Sequence, residues 1–303
     1  MNKKFLSISV WQMVVVFSIA ILGIIFGTFF DLQISKALVD TKSFLGGFVE
    51  TLGESFAYSM IPIGGMLVFV GTYKTPKIWQ KIIGYVVLAL SMTISSYYLG
   101  SSFCEGEYQY GITMKAWLGY TVAFLIMAVF AIITFFVIDQ KQEKLLIKLG
   151  AVILISMLLQ FLVMHFLKAI ASRPRYRYLI DSNINTVNDQ FRAWYDFKPF
   201  TATNDFFKSW PSGHTATAAQ TLLLPVLVPV LKSKSKSMEL GLYLTGLFYT
   251  VFVAFARVEY GAHFLSDVSF GLLFASIIVY ALCVLFECVH KKEKANTKED
   301  KQE

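Results

Sequence analysis

The chain has 303 residues, of which 56% are apolar and 16% charged. The apolar residues arrive in blocks of about 20, the length a helix needs to cross a hydrocarbon core, which excludes an ordinary soluble domain and identifies an integral membrane protein. The net charge of +7 is accounted for by lysine-rich connections and a basic tail, so it implies no nucleic-acid partner.

In chain order, candidate spans cover roughly residues 10–30, 58–74, 82–99, 117–138, 147–171, 213–232, 239–257 and 264–287. These runs are unbroken, whereas a barrel strand alternates apolar and polar residues over about 10 positions. The predicted fold is therefore all-α, a polytopic transmembrane helical bundle of about eight spans. The first span is about 20 residues long, longer than the apolar region of a cleaved signal peptide, and is expected to be retained. Residues 30–40, "FDLQISKALVD", and 43–56, "SFLGGFVETLGESF", have helix-like apolar spacing and are expected to lie along the outer interface, shaping a lipid entrance. The chain thus divides into N-terminal transmembrane helices over 1–146, a core over 147–290 and a polar, disordered tail over 291–303.

Short loops rich in Lys and Arg stay in the cytoplasm. "MNKK", "KTPKIWQK" (74–81), "DQKQEKLLIK" (139–148), "KSKSKS" (232–237) and the lysine-rich tail all fall on one face when the spans are counted in order. Both termini are expected there, with 31–57, 100–116, 172–212 and 258–263 outside. Lysine outnumbers arginine, the tail is short and no retention signal ends the chain, which favours a bacterial plasma membrane over an endoplasmic reticulum. Cys104, Cys283 and Cys288 form an odd, scattered set and imply no disulfide framework. Cys288 and His290, beside a lysine-rich tail, read as incidental rather than as metal ligands.

Charge at membrane depth is costly, so ionisable residues at span ends mark function. Lys168 ends the fifth span, His214 opens the sixth, Arg257 ends the seventh, and His263 and Asp267 open the eighth, all on the outer side. Their convergence argues for one site. In "ARVEYGAHFLSDV", His263 and Asp267 stand four apart, so the carboxylate is expected to accept a proton-bearing ring nitrogen and leave the other nitrogen as a basic lone pair, poised as a nucleophile. His214 is placed to protonate a departing oxygen. Lys168, Arg173, Arg175 and Arg257 supply fixed positive charge for a phosphoryl group.

In "SWPSGHTATA", the residues before His214 open a helix whose first N–H groups lack internal partners. The Ser212 hydroxyl and the close backbone approach allowed by Gly213 complete a phosphate cradle. Read singly, the cations are equally interfacial anchors that snorkel to headgroups, a reading that stays open for Arg173 and Arg177. His165, one turn from Lys168, reads as structural. Trp194, Tyr195, Phe197, Phe200, Phe206, Phe207 and Trp210 read as interface anchors, as a cap over the site, or as a packed outer loop.

Taken together, "KAIASRPRY", "PSGH" and "ARVEYGAHFLSD" resemble, in order and spacing, three signatures of the type 2 phosphatidic acid phosphatase superfamily: Lys-x6-Arg-Pro, Pro-Ser-Gly-His and Ser-Arg-x5-His-x3-Asp. The resemblance covers about residues 147–287. Tyr176 stands where the first signature has proline and Ala256 where the third has serine, and neither departure removes a charged or proton-carrying group. The resemblance implies a six-helix phosphatase core with additional helices near the N-terminus, and a membrane-embedded phosphatase that needs no metal and no cofactor. It makes His263 the nucleophile forming a phosphohistidine, Asp267 its holder and His214 the proton donor, with Lys168, Arg175, Ser212, Gly213 and Arg257 holding phosphate. It offers as substrate a lipid phosphate or pyrophosphate, such as phosphatidic acid, phosphatidylglycerol phosphate, diacylglycerol pyrophosphate or an isoprenyl pyrophosphate. Other branches of that fold, a soluble-sugar phosphatase or a vanadate-dependent haloperoxidase, and a non-catalytic lipid-binding or transport protein, are the alternative readings.

Overall fold

The computed structural model describes residues 4–5, 7–104, 113–182, 187–198 and 205–299. A small antiparallel hairpin, β1 (Lys4–Phe5) and β2 (Ile8–Ser9), leads into an all-α bundle. Its helices are α1 (Val10–Leu38), α2 (Phe44–Leu52), α3 (Ser55–Tyr58), α4 (Met60–Thr72), α5 (Ile78–Cys104), α6 (Ala116–Val137), α7 (Glu143–Ala171), α8 (Tyr176–Ser182), α9 (Val187–Gln190), α10 (Gly213–Ala219), α11 (Lys236–Glu259) and α12 (Leu265–Glu299). Among the described residues, 7 segments are long and apolar enough to cross a membrane. They correspond to the predicted spans except the one expected over 213–232.

That exception has a local cause. The segment opens as the 7-residue α10 and then tightens into an 11-residue 3-10 helix, Gln220–Val230, which contains Pro225 and Pro229. Proline has no N–H to donate and its ring crowds the preceding turn, so two of them four residues apart break the α-ladder. A 3-10 helix rises about 2.0 Å per residue against about 1.5 Å for an α-helix, so the mixed element still reaches about 30 Å. It runs the depth of the bundle. At its far end Asp139 N donates to Val230 O at 2.7 Å, Lys232 N donates to Val137 O at 2.9 Å, and Gln142 Nε2 donates to Pro229 O at 3.1 Å. Tyr73 OH donates to Gln140 Oε1 at 2.7 Å, so the α4–α5, α6–α7 and 231–235 connections share one end, as the charge pattern predicts.

The centre of the bundle is α4, buried over almost its whole length and packed between α5 and α7. A helix that is apolar all round is satisfied only when wrapped by others. Its approach to α7 is close because both faces carry glycine: a Cβ on Gly150 would stand 2.6 Å from the Gly64 carbonyl oxygen. Small residues at such seams let backbones meet in lipid, where no hydrophobic drive holds helices together. The outer faces are apolar, with Phe29, Phe166 and Phe248 well exposed.

Residues 30–57 depart from the expected surface segment. The first helix continues to Leu38, burying Asp31, and α2 turns its Gly46, Gly47 and Val49 face inward, with Phe44 and Phe48 outward. The N-cap hydrogen bond from Gly46 N to Ser43 Oγ at 3.1 Å fixes where α2 begins. At the other end of the chain, α12 continues through Glu299, where the sequence predicts a disordered tail from 291.

The α4–α7 seam can be tested directly. Gly150→Ala is expected to destabilise the protein by about 1–3 kcal/mol through overpacking. Gly241→Ala on α11, where a Cβ meets nothing within 4 Å, is expected to leave the thermal midpoint in detergent unchanged or slightly raised.

Candidate active site

The site forms where α7, α10, α11 and α12 end or begin. Lys168 lies in the last turn of α7, whose C-cap Ser172 adopts a left-handed conformation (φ 43°) that turns the chain into "RPR". Arg173, Arg175 and Arg177 follow, all buried. They diverge. Arg175 Nη2 pairs with Asp205 Oδ2 at 2.7 Å, and Arg177 Nη1 donates to Glu50 Oε1 at 2.9 Å. Arg173 Nη1 pairs with Asp267 Oδ1 at 2.5 Å and its Nη2 with Asp31 Oδ2 at 3.0 Å. Arg173 and Arg177 are thus interior residues, and the reading of either as a snorkelling interfacial anchor does not hold.

The end of α11 is closed by a Schellman arrangement. Gly261 (φ +67°) N donates to Val258 O at 2.9 Å and Ala262 N to Arg257 O at 3.1 Å. Only glycine takes that φ without strain. The turn buries Arg257, delivers His263 directly after it, and receives Arg177 N on the Gly261 carbonyl at 2.8 Å.

His263 precedes α12, which starts at Leu265, so the four-residue spacing to Asp267 is not helical spacing. Asp267 instead occupies the third position of α12 and reaches back to the helix start, its Oδ2 accepting Phe264 N at 2.8 Å and Ser209 Oγ at 2.5 Å. Its distance to His263 Nδ1 is 4.0 Å. The expected direct hydrogen bond is therefore replaced: His263 Nδ1 lies 2.6 Å from the Ser209 carbonyl oxygen. A carbonyl only accepts, so Nδ1 carries the proton and Nε2 presents a lone pair. Nε2 is buried and has no hydrogen-bond partner among the described residues. Burial, followed by the charges of Arg175, Arg257 and Lys168, pushes the His263 imidazole well below its ordinary pKa and keeps it neutral.

Ser212 caps α10, its Oγ accepting Thr215 N at 3.4 Å, while Ser212 N donates to the Asp267 carbonyl at 3.0 Å. Gly213 follows, and a Cβ there would stand 3.0 Å from Lys168 Nζ. Lys168, Arg175, Gly213, His214 and Arg257 line a polar cavity of about 500 Å³. Ser212, His263 and Asp267 are buried and are not among its lining residues. Arg173 is not among the lining residues; its charge is spent on Asp31 and Asp267.

Sequence reasoning missed the acids. Glu50 pairs with Arg177 and, at 3.3 Å, with Arg257 Nη2. Glu54 Oε2 lies 3.6 Å from His214 Nε2 and accepts Tyr58 OH at 3.0 Å. Burial opposes ionisation of Asp205, but Arg175, Lys168 and Lys208 hold its carboxyl below the usual range. The signal was two acids four apart, Glu50 and Glu54, in an otherwise apolar stretch.

The aromatic loop is a packed one in part. Trp194 Nε1 donates to Thr28 Oγ1 at 2.9 Å, and its ring meets Phe270 with centroids 4.6 Å apart. Trp210 packs on Phe270 and Phe274, Phe206 stacks on Tyr178, and Tyr195 is exposed. Phe200 lies outside the described residues. His165 Nδ1 is 2.9 Å from the Phe161 carbonyl, and its ring lies against Phe161 on the cavity wall.

Arg173→Ala would leave Asp31 and Asp267 as buried carboxylates without their counter-charge. It is expected to lower unfolding free energy by about 3–5 kcal/mol, read from unfolding in detergent.

Comparison with curated proteins and with solved structures found no match. Residues 146–292 match the family model of the PAP2 superfamily. That stretch holds Lys168, Arg175, Ser212, Gly213, His214, Arg257, His263 and Asp267, and over it the chain is similar to the PAP2 superfamily.

Proposed function

We propose that the protein is a membrane-embedded lipid phosphatase or pyrophosphatase that works through a phosphohistidine on His263, without metal. Members of the PAP2 superfamily are phosphatases, and the long apolar helices belong to an integral membrane protein. The observation that carries the reading is the state of His263: Nδ1 tied to the Ser209 carbonyl, Nε2 without a partner among the described residues, and cations around it.

In the proposed first step, His263 Nε2 attacks phosphorus while the bond from phosphorus to the leaving oxygen breaks, and His214 gives that oxygen a proton. In the second, water attacks phosphorus, the P–N bond breaks, and His214 recovers a proton from the water. Lys168, Arg175 and Arg257 balance the charge spread over the equatorial oxygens, which is the main demand of phosphoryl transfer. Ser212 and Gly213 bring backbone and hydroxyl donors to the phosphate edge. Asp267 serves this arrangement by fixing Ser209 and the start of α12, so that the carbonyl holding His263 stays in place. Arg173 acts one layer further out, through Asp267.

The lipid character of the substrate is supported by a second, apolar cavity of about 620 Å³ between α4, α5 and α7, walled by Val87, Leu90, Ile94, Leu154 and Leu158. It shares Tyr58, Tyr97, Tyr98, Gln160, Phe161 and Thr217 with the polar one. A phosphate at Lys168 and a hydrocarbon chain beside α5 fit one molecule. By the charge pattern of the connections, the site faces outward, as in a bacterial plasma membrane.

The test is phosphate release from a panel of purified lipid phosphates, pyrophosphates and soluble sugar phosphates in detergent. His263→Ala is expected to abolish release, by at least about 10³-fold. Vanadate should compete with substrate and chelator should leave turnover intact; equal release by wild type and His263→Ala would overturn the assignment, and release from sugar phosphates alone would overturn the lipid reading. Because the folded pKa of His263 is depressed, its base form persists to low pH. The acid limb of kcat/KM is expected below about 6.5, the ordinary histidine value, and full loss of activity at or above that pH would contradict the proposed nucleophile.

A further inference from the structure

The polar cavity contains a carboxylate that phosphate binding does not explain. Glu54 is at the junction of α2 and α3, outside the stretch that matches the family model. Its side chain is largely buried. Tyr58 OH donates to Oε2 at 3.0 Å, and Tyr58 N donates to the Glu54 carbonyl at 2.8 Å. Tyr249 OH donates to the carbonyl of the preceding Gly53. One of these bonds holds the carboxylate and the other two fix the backbone that carries it. In its ionised form a carboxylate so placed repels a phosphate dianion, so its placement calls for another role.

That role follows from the neighbour at 3.6 Å, His214 Nε2. The distance is too long for a hydrogen bond and short enough for an ion pair. The His214 ring also hydrogen-bonds the Glu50 backbone. Lys168 from α7, Arg175 from the segment after it, Arg257 from α11 and His263 from the α11–α12 turn face the same region, together with Glu50 of α2 and the hydroxyls of Tyr58 and Tyr249. Burial, and after it the three cations Arg257, Lys168 and Arg175, disfavour a positive charge on His214, whereas a proton donor must carry one. Glu54 offsets them.

We infer that Glu54 is a positioning residue that keeps His214 Nε2 protonated for transfer to the leaving oxygen. The inference rests on the proposed phosphatase reading and on the role of His214 in it. The proton balance is that of the first step: the Nε2 proton passes to the leaving oxygen as its bond to phosphorus breaks, and Glu54 exchanges no proton. Its charge sets how firmly His214 holds its proton before that moment.

The experiment compares wild type, Glu54→Gln, Glu54→Asp and His263→Ala on two substrates. One is dioctanoyl phosphatidic acid, whose alkoxide leaving group needs a proton; the other is an aryl phosphate monoester whose nitrophenolate leaving group does not. Glu54→Gln is expected to lose about tenfold or more in kcat on the alkyl substrate, within the roughly 10²–10⁴-fold that a positioned proton donor contributes. On the aryl substrate it should lose less than about twofold, and KM should fall or stay unchanged on both, because a repelling charge is gone. With the carboxylate absent His214 gives up its proton at lower pH, so the alkaline limb of the alkyl kcat profile should move to lower pH. Glu54→Asp, which keeps the charge one methylene further away, should show a smaller loss with the same substrate dependence, and it carries the comparison should Glu54→Gln not fold.

Equal losses on both substrates with unmoved pH limbs would reduce Glu54 to a structural residue and overturn the inference. So would a gain in kcat on the alkyl substrate, which would mark Glu54 as an electrostatic brake. His263→Ala separates the layers: if it releases phosphate as wild type does, the phosphatase reading itself fails. If it is silent while Glu54→Gln matches wild type on both substrates, only the role of Glu54 fails.

Discussion

The architecture depends on one guanidinium. Arg173 sits between Asp31 of α1 and Asp267 of α12 and also donates to Ser266 Oγ at 2.9 Å and to the Arg192 carbonyl at 2.8 Å. Two buried carboxylates on separate helices would repel each other across a low-dielectric interior, and the cation between them turns that repulsion into a clamp. Asp31 extends the clamp by accepting Ser266 N at 2.9 Å, which satisfies an open donor at the start of α12. Phe264 lies under the guanidinium with its ring centroid 4.1 Å away and adds a cation–π contact. One contact set therefore aligns the first helix, the segment after α7 and the start of the last helix, and His263 hangs from the turn that this alignment fixes.

A gradient of polarity runs outward from that clamp. Next to it the cavity is charged, with Lys168, Arg175 and Arg257 facing Glu50, Glu54 and Asp205. Further along α5 and α7 the walls become tyrosine and then aliphatic. Tyrosine suits the transition because its ring is apolar and its hydroxyl is not. Tyr58 and Tyr98 stack with centroids 5.8 Å apart at this boundary, and Tyr58 also anchors Glu54. The same side chain thus belongs to the apolar chamber and to the charged site.

Much of this was legible in the sequence where the physics is local. Span positions follow from apolar run length, and Lys168, His214, Arg257 and His263 stand out because charge at span ends is costly. Three features escaped for identifiable reasons. Hydropathy does not distinguish an α-helix from a 3-10 helix, so the 213–232 span was expected to be uniform although Pro225 and Pro229 stood in plain sight. The four-residue spacing of His263 and Asp267 suggested a direct bond, but the helix starts between them, and whether a helix begins at 263 or 265 is not written in spacing alone. Asp31, Glu50 and Glu54 were overlooked because amphipathic spacing describes a surface helix and an inward-folded one equally well; only packing against Arg173, Arg257 and His214 decides between them.

The shielding of the Phe44–Thr72 stretch has a consequence for how the molecule comes together. Glu50 and Glu54 have no tolerable place against acyl chains, and their counter-charges, Arg177, Arg257 and His214, are all supplied by sequence more than a hundred residues later. During synthesis this stretch emerges long before its partners exist. The contacts that shelter it are complete only when α7, α10 and α11 are in place, so the early half of the protein has no finished interior without the late half.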